Sequence, residues 1–441
     1  MRRECAPFSH PWEEALIGEV SDVIVGGTPS TAVPEFWGGN IQWMASGDVH
    51  REHIFDVPGR ITDKGLRYSN AVIVEPMAVA IALAGQGKTR GTVALTHIPV
   101  CTNQSIALIK PKDFRVDPAF LFQSLIPRYE ELRSRSAGGG RAGLTKSILE
   151  RVPIQMPRKE EQSSIAEILA TLDGAIEQTE ALIAKYQQIK AGLMHDLFTR
   201  GVTPDGRLGP PRSEAPHLYQ WSDRGWIPTD WRNQHLETLA ESLVDGPFGS
   251  NLKTEHYVGE PGVRVVRLQN VDSGEYNDAD RAFISESHAN YLIRNQVKAG
   301  DVLIAGLGED NNVVGRSCCY PEGLPPAINK ADCFRLRCRE SVGLNRYVMY
   351  FLNTDGARAQ IRRFEQGVTR RRINTTNLKK LMIGLPSIGE QERVVGLLDA
   401  AALQLARDVE RRSKLQQMKQ GLMQDLLTGR VRVNTEEAAS T

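Results

Sequence analysis

From Gln162 onward the apolar positions fall into steps of four and three: Ile165, Leu169, Leu172, Ile176, Thr179, Ile183, Tyr186, Lys190, Leu193 and Leu197. That spacing predicts one α-helix carrying a narrow heptad seam, interrupted only by Thr179 and Lys190. A second seam runs through Val394, Leu398, Ala401, Leu405, Asp408, Arg412, Leu415, Lys419, Leu422 and Leu426. Polar residues recur at the same two registers, and Arg412 is an extra one. A helix with a single narrow seam is unstable alone in water, so each needs a partner of similar length. At about 1.5 Å per residue, roughly 36 residues span about 54 Å. The nearest partner for each seam is the other.

The two seams are copies. Lys185 to Thr199 read KYQQIKAGLMHDLFT, and Lys414 to Thr428 read KLQQMKQGLMQDLLT, identical at ten of fifteen positions without a gap. Upstream, Glu161-Gln162 matches Glu390-Gln391 and Pro157 matches Pro386 at the same offset. A period of half the chain means two similar units, each ending in the same long element.

Away from the seams the pattern shortens. In the first unit a tight loop is predicted at Gly26-Gly27-Thr28-Pro29-Ser30 and strands at Ile41–Met44, within Ala71–Leu83, at Thr92–Thr96 and at Ser105–Ile109. A loop spans Gly85 to Gly91, and Phe120 to Arg135 has helical spacing broken by Pro127. Ala137-Gly138-Gly139-Gly140 reads as a loop. The second unit repeats the plan loosely. It has a turn at Asp245–Ser250, strands at Val263–Leu268 and Val302–Ala305, a glycine-rich loop to Gly315, and a helix within Val342–Leu352. The expected organisation is a first globular domain over 1–156 and a long helix over 157–200. A Pro/Gly-rich linker over 201–220, a second domain over 221–385, a second long helix over 386–431 and a disordered tail over 432–441 follow.

Composition narrows the class without naming a function. The chain has 441 residues, 41% hydrophobic and 24% charged, with a net charge of +1. That fits an ordinary globular protein and does not advertise a nucleic-acid binder, although a balanced total can hide basic faces. No apolar run is long enough to span a bilayer, so a cytoplasmic protein without membrane contact is expected. The six cysteines form no CxxC pair, and buried free thiols are the expectation.

Catalytic signatures are missing. Gly87-Lys88-Thr89 resembles the end of a phosphate-binding loop, but the glycine required five residues earlier is Ala82, and β-rich Thr92–Leu95 replaces the required helix. No dinucleotide-binding glycine motif, metalloprotease motif or Asn/Asp-Pro-Pro-Tyr/Phe tetrapeptide occurs. His50 and His53 are three apart, and are read as solvent-facing. No catalytic or metal-binding residue is expected. What remains is basic. Arg362, Arg363, Arg370, Arg371 and Arg372 cluster in the second unit, and Arg133, Arg135 and Arg141 flank the glycine loop of the first. Both clusters stand just before the segment leading into a long helix. Arginines beside flexible glycines suit phosphate contact and bidentate guanine readout. Lys88 and Arg90 form a second candidate loop. The competing reading is a solvated arginine face.

Four stretches give the chain a family resemblance. Gly26–Ser30 with Phe36-Trp37-Gly38-Gly39-Asn40-Ile41-Gln42-Trp43 resembles the opening of one class of target-recognition domain. Gly225-Trp226-Ile227-Pro228-Thr229-Asp230-Trp231 resembles the start of a second domain, and Asp245-Gly246-Pro247-Phe248-Gly249-Ser250 another recognition class. Pro386 to Gln391 and its twin Pro157 to Gln162 resemble the lead into conserved helices. Together, over Trp12 to Val433, they resemble the specificity (S) subunit of type I restriction-modification enzymes. The resemblance implies an α+β fold: two globular recognition domains of α/β character joined by two long helices packed as an antiparallel coiled coil, pseudo-two-fold. It implies a chain with no catalysis or cofactor of its own that reads double-stranded DNA, each domain taking half of an asymmetric bipartite target. Two methyltransferase (M) subunits and the restriction/motor (R) subunits would be partners, carrying S-adenosylmethionine, ATP and Mg. Two rival readings stand beside it: a coiled-coil scaffold without base readout, and a stand-alone nucleotide-binding enzyme using Lys88-Thr89.

Overall fold

A computed structural model describes residues 12–85, 87–112, 114–135, 143–223 and 225–433. The chain divides into two compact units, Met1–Ala181 with Val409–Thr441, and Leu182–Asp408. Both cuts fall inside long helices, which run over Lys159–Arg200 and Ile388–Leu426. At 42 and 39 residues they fill most of the expected spans and run past the seams, reaching about 63 and 58 Å.

In the first unit the main sheet runs in the order Ser21–Val25, Ile106–Pro111, Val79–Ala82, Val93–Thr96, His53–Ile54. All neighbours are antiparallel except the last pair. Val79–Ala82 and Val93–Thr96 are buried at every position, which explains their continuous apolar runs. Helix Pro118–Leu125 covers the sheet with Leu121, Phe122 and Leu125. Pro118 opens it, and the Asp117 carboxylate caps it by accepting from the N–H groups of Ala119 and Phe120. Pro127 breaks the helical stretch as expected, through a 3₁₀ turn at Ile126–Arg128 before helix Tyr129–Ser134. A smaller sheet joins Arg60–Ile61, Trp37–Met44 and Cys101–Thr102.

The second unit follows the same plan. Its main sheet runs Ala240–Val244, Cys333–Cys338, Val302–Ala305, Ser317–Cys319, antiparallel throughout. Helix Asn345–Leu352 takes the place of Pro118–Leu125. In both units a second sheet, of three strands in the first and five short ones in the second, holds one parallel pair, Trp37–Met44 with Cys101–Thr102 and Val263–Val266 with Ala327–Asn329. A two-stranded ribbon, Glu13–Leu16 with Pro153–Met156 or Arg232–His235 with Met382–Leu385, leads each domain into its helix. Strand Cys333–Cys338 and helix Asp355–Phe364 had no expectation from sequence.

Every seam position of both helices is buried or half-buried. In the first unit Ile165 and Leu169 pack with Leu422 and Leu426 against Phe120, while Leu172, Ile176 and Leu415 are half-buried. In the second, Leu193 and Leu197 share a core with Val394 and Leu398, Ile183 is buried and Leu405 half-buried. The start of one helix thus meets the end of the other in each unit, which is an antiparallel pairing. Three of the polar interruptions have partners, while the Arg412 Nε is buried without one. The Thr179 hydroxyl donates to the Ala175 carbonyl at 2.7 Å, and Asp408 accepts from Gln404 at 3.0 Å. Lys419 makes an ion pair with Asp173 of the other helix, which also accepts from Gln123 of the first domain. Burial holds the Lys190 ammonium below its usual value, with Glu275 and Asp399 opposing.

The linker expectation needs correction. Residues 201–220 are folded onto the unit: the Arg200 side chain and the Gly201 carbonyl both bond Gly209. The Tyr219 hydroxyl donates to Pro210 at 2.6 Å, and strand Tyr219–Ser222 pairs with Gly225–Pro228 across the expected boundary. Likewise Arg432 and Val433 are held by Glu161; residues 434–441 lie outside the described residues. His53, read as solvent-facing, is half-buried, bonding His97 at 2.9 Å against Phe122.

Candidate nucleic-acid interface

The basic residues gather at one topological place in each unit, the turn that follows the third strand of the main sheet. In the first unit this turn joins Val79–Ala82 to Val93–Thr96. Gly85, Gly87 and Gly91 all have positive φ there, which only glycine adopts freely. The turn is closed by Gly91 N–H on the Ala82 carbonyl at 2.9 Å. Arg133, from helix Tyr129–Ser134, donates to the Gly87 carbonyl at 2.6 Å and to the Tyr129 hydroxyl at 2.8 Å. Tyr129 in turn donates to the Lys88 carbonyl at 2.9 Å. The two candidate patches of the first unit are therefore one.

Within that patch the roles separate. Arg133 holds the loop, and Arg135 is engaged by Glu131 at 2.8 Å. The hydrogen bond from Arg128, aided by Arg135, pulls the Glu131 carboxyl down to about 2 against its partial burial. Arg90 is half-buried, while Lys88 is exposed. Arg141 lies outside the described residues. Thr89 bonds His50 at 3.2 Å, and the chain then enters a strand. A phosphate-binding loop needs a helix N-terminus at that point, so the nucleotide reading of Lys88-Thr89 loses its geometry. Among the described residues no group of three or more metal-ligating side chains is placed to hold a metal.

In the second unit the same turn is the loop after Val302–Ala305. Leu307–Gly308 pairs antiparallel with Arg371–Arg372, bringing the glycine loop and the arginine run together. Arg371 pairs with Asp310 at 2.7 Å and Arg372 with Asp332 at 2.8 Å. Gln366 and Arg372 exchange backbone hydrogen bonds of 2.9 Å, closing a hairpin. Gly367 sits at its tip with φ +97, where a side chain would run into the Arg370 carbonyl. Arg362, Arg363 and Arg370 are exposed, and none of their side chains makes a hydrogen bond or ion pair among the described residues.

Sequence reasoning missed what holds this loop. Arg316 is buried and donates to the carbonyls of Val271, Leu268 and Asn312 at 2.7 to 3.0 Å. Arg358 donates to Val314 at 2.6 Å; burial, with Arg316 nearby, pushes its guanidinium down to about 10. Neither stands in an arginine run, so nothing marked them. Among the described residues the thiols are shielded: Cys101, Cys318, Cys333 and Cys338 are buried, and Cys319 half-buried. Burial pushes Cys101 up to about 11 and Cys333 and Cys338 to about 12.

Comparison with known proteins fits this duplicated architecture. Residues 9–188 match the family described as type I restriction modification DNA specificity domain. The MjaVIII type I restriction enzyme specificity subunit of Methanocaldococcus jannaschii is 24% identical over 96% of this chain and 93% of its own length. Over nearly its whole length the chain is thus similar to type I specificity subunits. The MjaIX specificity subunit of the same organism is 32% identical over 42% of this chain and 43% of its own length. The fold is that of the S subunit from M. genitalium, with a TM-score of 0.58 at 15% identity, covering 96% of this chain and 98% of that one. Among the described residues no helix is long and apolar enough to cross a membrane.

The two junctions between domain and long helix repeat closely. Gln162 donates to the carbonyls of Arg115 at 2.7 Å and Pro157 at 2.9 Å, and accepts from Asp117 N–H at 2.8 Å. Gln391 donates to Val342 at 3.2 Å and Pro386 at 3.0 Å, and accepts from Leu344 N–H at 2.9 Å. Each glutamine ties the start of a long helix to the start of its domain's covering helix. The doublet Glu161-Gln162 was visible as a repeat in sequence; its role as a joint was not.

Proposed function

We propose that this specificity subunit is the non-catalytic, sequence-reading component of a type I restriction-modification complex. Each recognition domain reads one half of an asymmetric bipartite target in double-stranded DNA. The paired helices set the gap and carry two docked methyltransferase subunits, with restriction/motor subunits joining for cleavage. S-adenosylmethionine, ATP and Mg belong to those partners, and the complex works in the cytoplasm. The domains proposed as modules are 1–156 and 221–385, with the long helices between them.

One observation carries this reading. Two domains share a strand plan and identical helix joints, yet their exposed loops differ, with Lys88 in one and Arg370 in the other. Equal joints with unequal loops suit two readers held on one spacer. Near-zero net charge means that the assembled complex supplies much of the phosphate contact, while this chain supplies choice of sequence.

Deleting the chain from its host and mapping methylated bases tests the reading. One bipartite, asymmetric motif should lose methylation and regain it on complementation. Loss of no motif, or of a continuous one, would overturn it.

A further inference from the structure

The arginine run of the second unit is not a uniform basic patch. Arg371 and Arg372 form strand pairs with Leu307–Gly308 and ion pairs with Asp310 and Asp332. Ile373 is buried behind them and bonds the Gly306 carbonyl at 2.9 Å. These residues anchor the hairpin. Arg370 stands one residue beyond the anchor, exposed, on the tip that Gly367 closes.

Arg370 also has distinctive neighbours. It borders a cleft shared with Gln269, Asp272, Asn277, Glu309 and Asn312. A surface meant only for phosphates would be lined by cations. This one offers amides and carboxylates, which recognise adenine and cytosine edges, beside two guanidiniums, of which Arg316 is buried on backbone carbonyls and Arg370 alone is exposed to recognise guanine. The cleft is rigid where it matters. Buried Arg316 holds the carbonyls of Leu268, Val271 and Asn312, and Glu309 and Asn312 exchange backbone bonds of 3.0 and 3.1 Å. Rigid support keeps a reading side chain within the tolerance that base discrimination needs. Arg362 and Arg363 lie instead on helix Asp355–Phe364, outside this cleft.

We propose that Arg370 is a specificity-determining residue that reads a guanine in the half-site of the second domain, whereas Arg362 and Arg363 contact phosphates. The inference rests on the proposed function and deepens it. Arg371 and Arg372 hold the reader in place and touch no base.

Methylated positions are mapped in host cells carrying the full chain with Arg370→Ala, Arg371→Ala or Arg363→Ala. With Arg370→Ala, preference for guanine at one position of the second half-site should fall about 5- to 150-fold, while the first half-site is unchanged. Arg363→Ala should lower methylation evenly without altering the motif. Arg371→Ala should lower the thermal midpoint of the purified chain with the motif retained. An unchanged motif with Arg370→Ala, or an even loss at all positions, overturns the assignment of Arg370. A wild-type chain that directs no bipartite methylation overturns the proposed function together with this inference.

Discussion

Glu161 and Glu390 hold equivalent positions, and they solve the same problem differently. Each receives the segment that follows the other long helix. Glu390 accepts from Val202 N–H at 2.9 Å and from the Trp231 indole at 3.2 Å, and burial raises its carboxyl above the usual range. Glu161 instead takes Arg432 through two bonds of 2.7 Å, plus Val433 N–H at 3.3 Å. Trp12, which precedes the ribbon strand as Trp231 does, packs under Arg432 and leaves its indole nitrogen without a partner. The backbone tie is shared, and the charge balance is not. What duplication preserved is the glutamine joint, while each unit rebuilt the glutamate contact beside it.

That contrast is broken most strongly by Arg432→Ala. It leaves Glu161, only 6% exposed at its side chain, unpaired in the interior. The expected cost is about 3 kcal/mol, read as a fall in thermal midpoint, and adding Glu161→Gln should recover part of it. Next come the glutamine joints. Gln162→Ala and Gln391→Ala each strand one N–H and two carbonyl groups and should cost about 1–3 kcal/mol in denaturant unfolding. If the joints are equivalent, the two values agree.

A pH test separates the units further. Where the first unit has Gly26, the second has Asp245, which accepts from Gly246 and Asp332 N–H groups. Burial pushes its carboxyl up to about 6, the Asp332 charge adding to the rise while those bonds oppose it. A folded value above the unfolded one, about 4, means the folded state holds the proton more tightly. The stabilisation is complete below about pH 4 and lost as pH rises through about 6. Melting between pH 4 and 7 should show this slope, and Asp245→Asn should flatten it. The smallest effect is expected at the surface. Arg362→Ala should change stability by less than about 0.5 kcal/mol, yet reduce the salt slope of DNA binding by about 1. Arg133→Ala, which frees the first unit's loop, should lower stability instead.

The long helices were legible because a heptad seam is a periodic signal over many residues, and duplication supplied a second reading of it. Thr179 and Lys190 looked like interruptions, and the structure shows neighbours that satisfy or oppose them. Short strands such as Arg60–Ile61 and Cys101–Thr102 were not legible, since two residues carry no period. The arginine clusters were found, but not their division. Arg370 and Arg371 are adjacent and chemically identical, and only strand pairing and Asp310 tell them apart. Arg316 was invisible because a buried arginine bonded to carbonyls leaves no pattern in its own neighbourhood.

The central claim is that the two domains read independently on a shared spacer. Exchanging residues 1–155 for another first recognition domain, then mapping methylated positions in the host, tests it most directly. The account predicts a new first half-site, with the second half-site and the gap unchanged. A change in both halves, or in the gap alone, would contradict it.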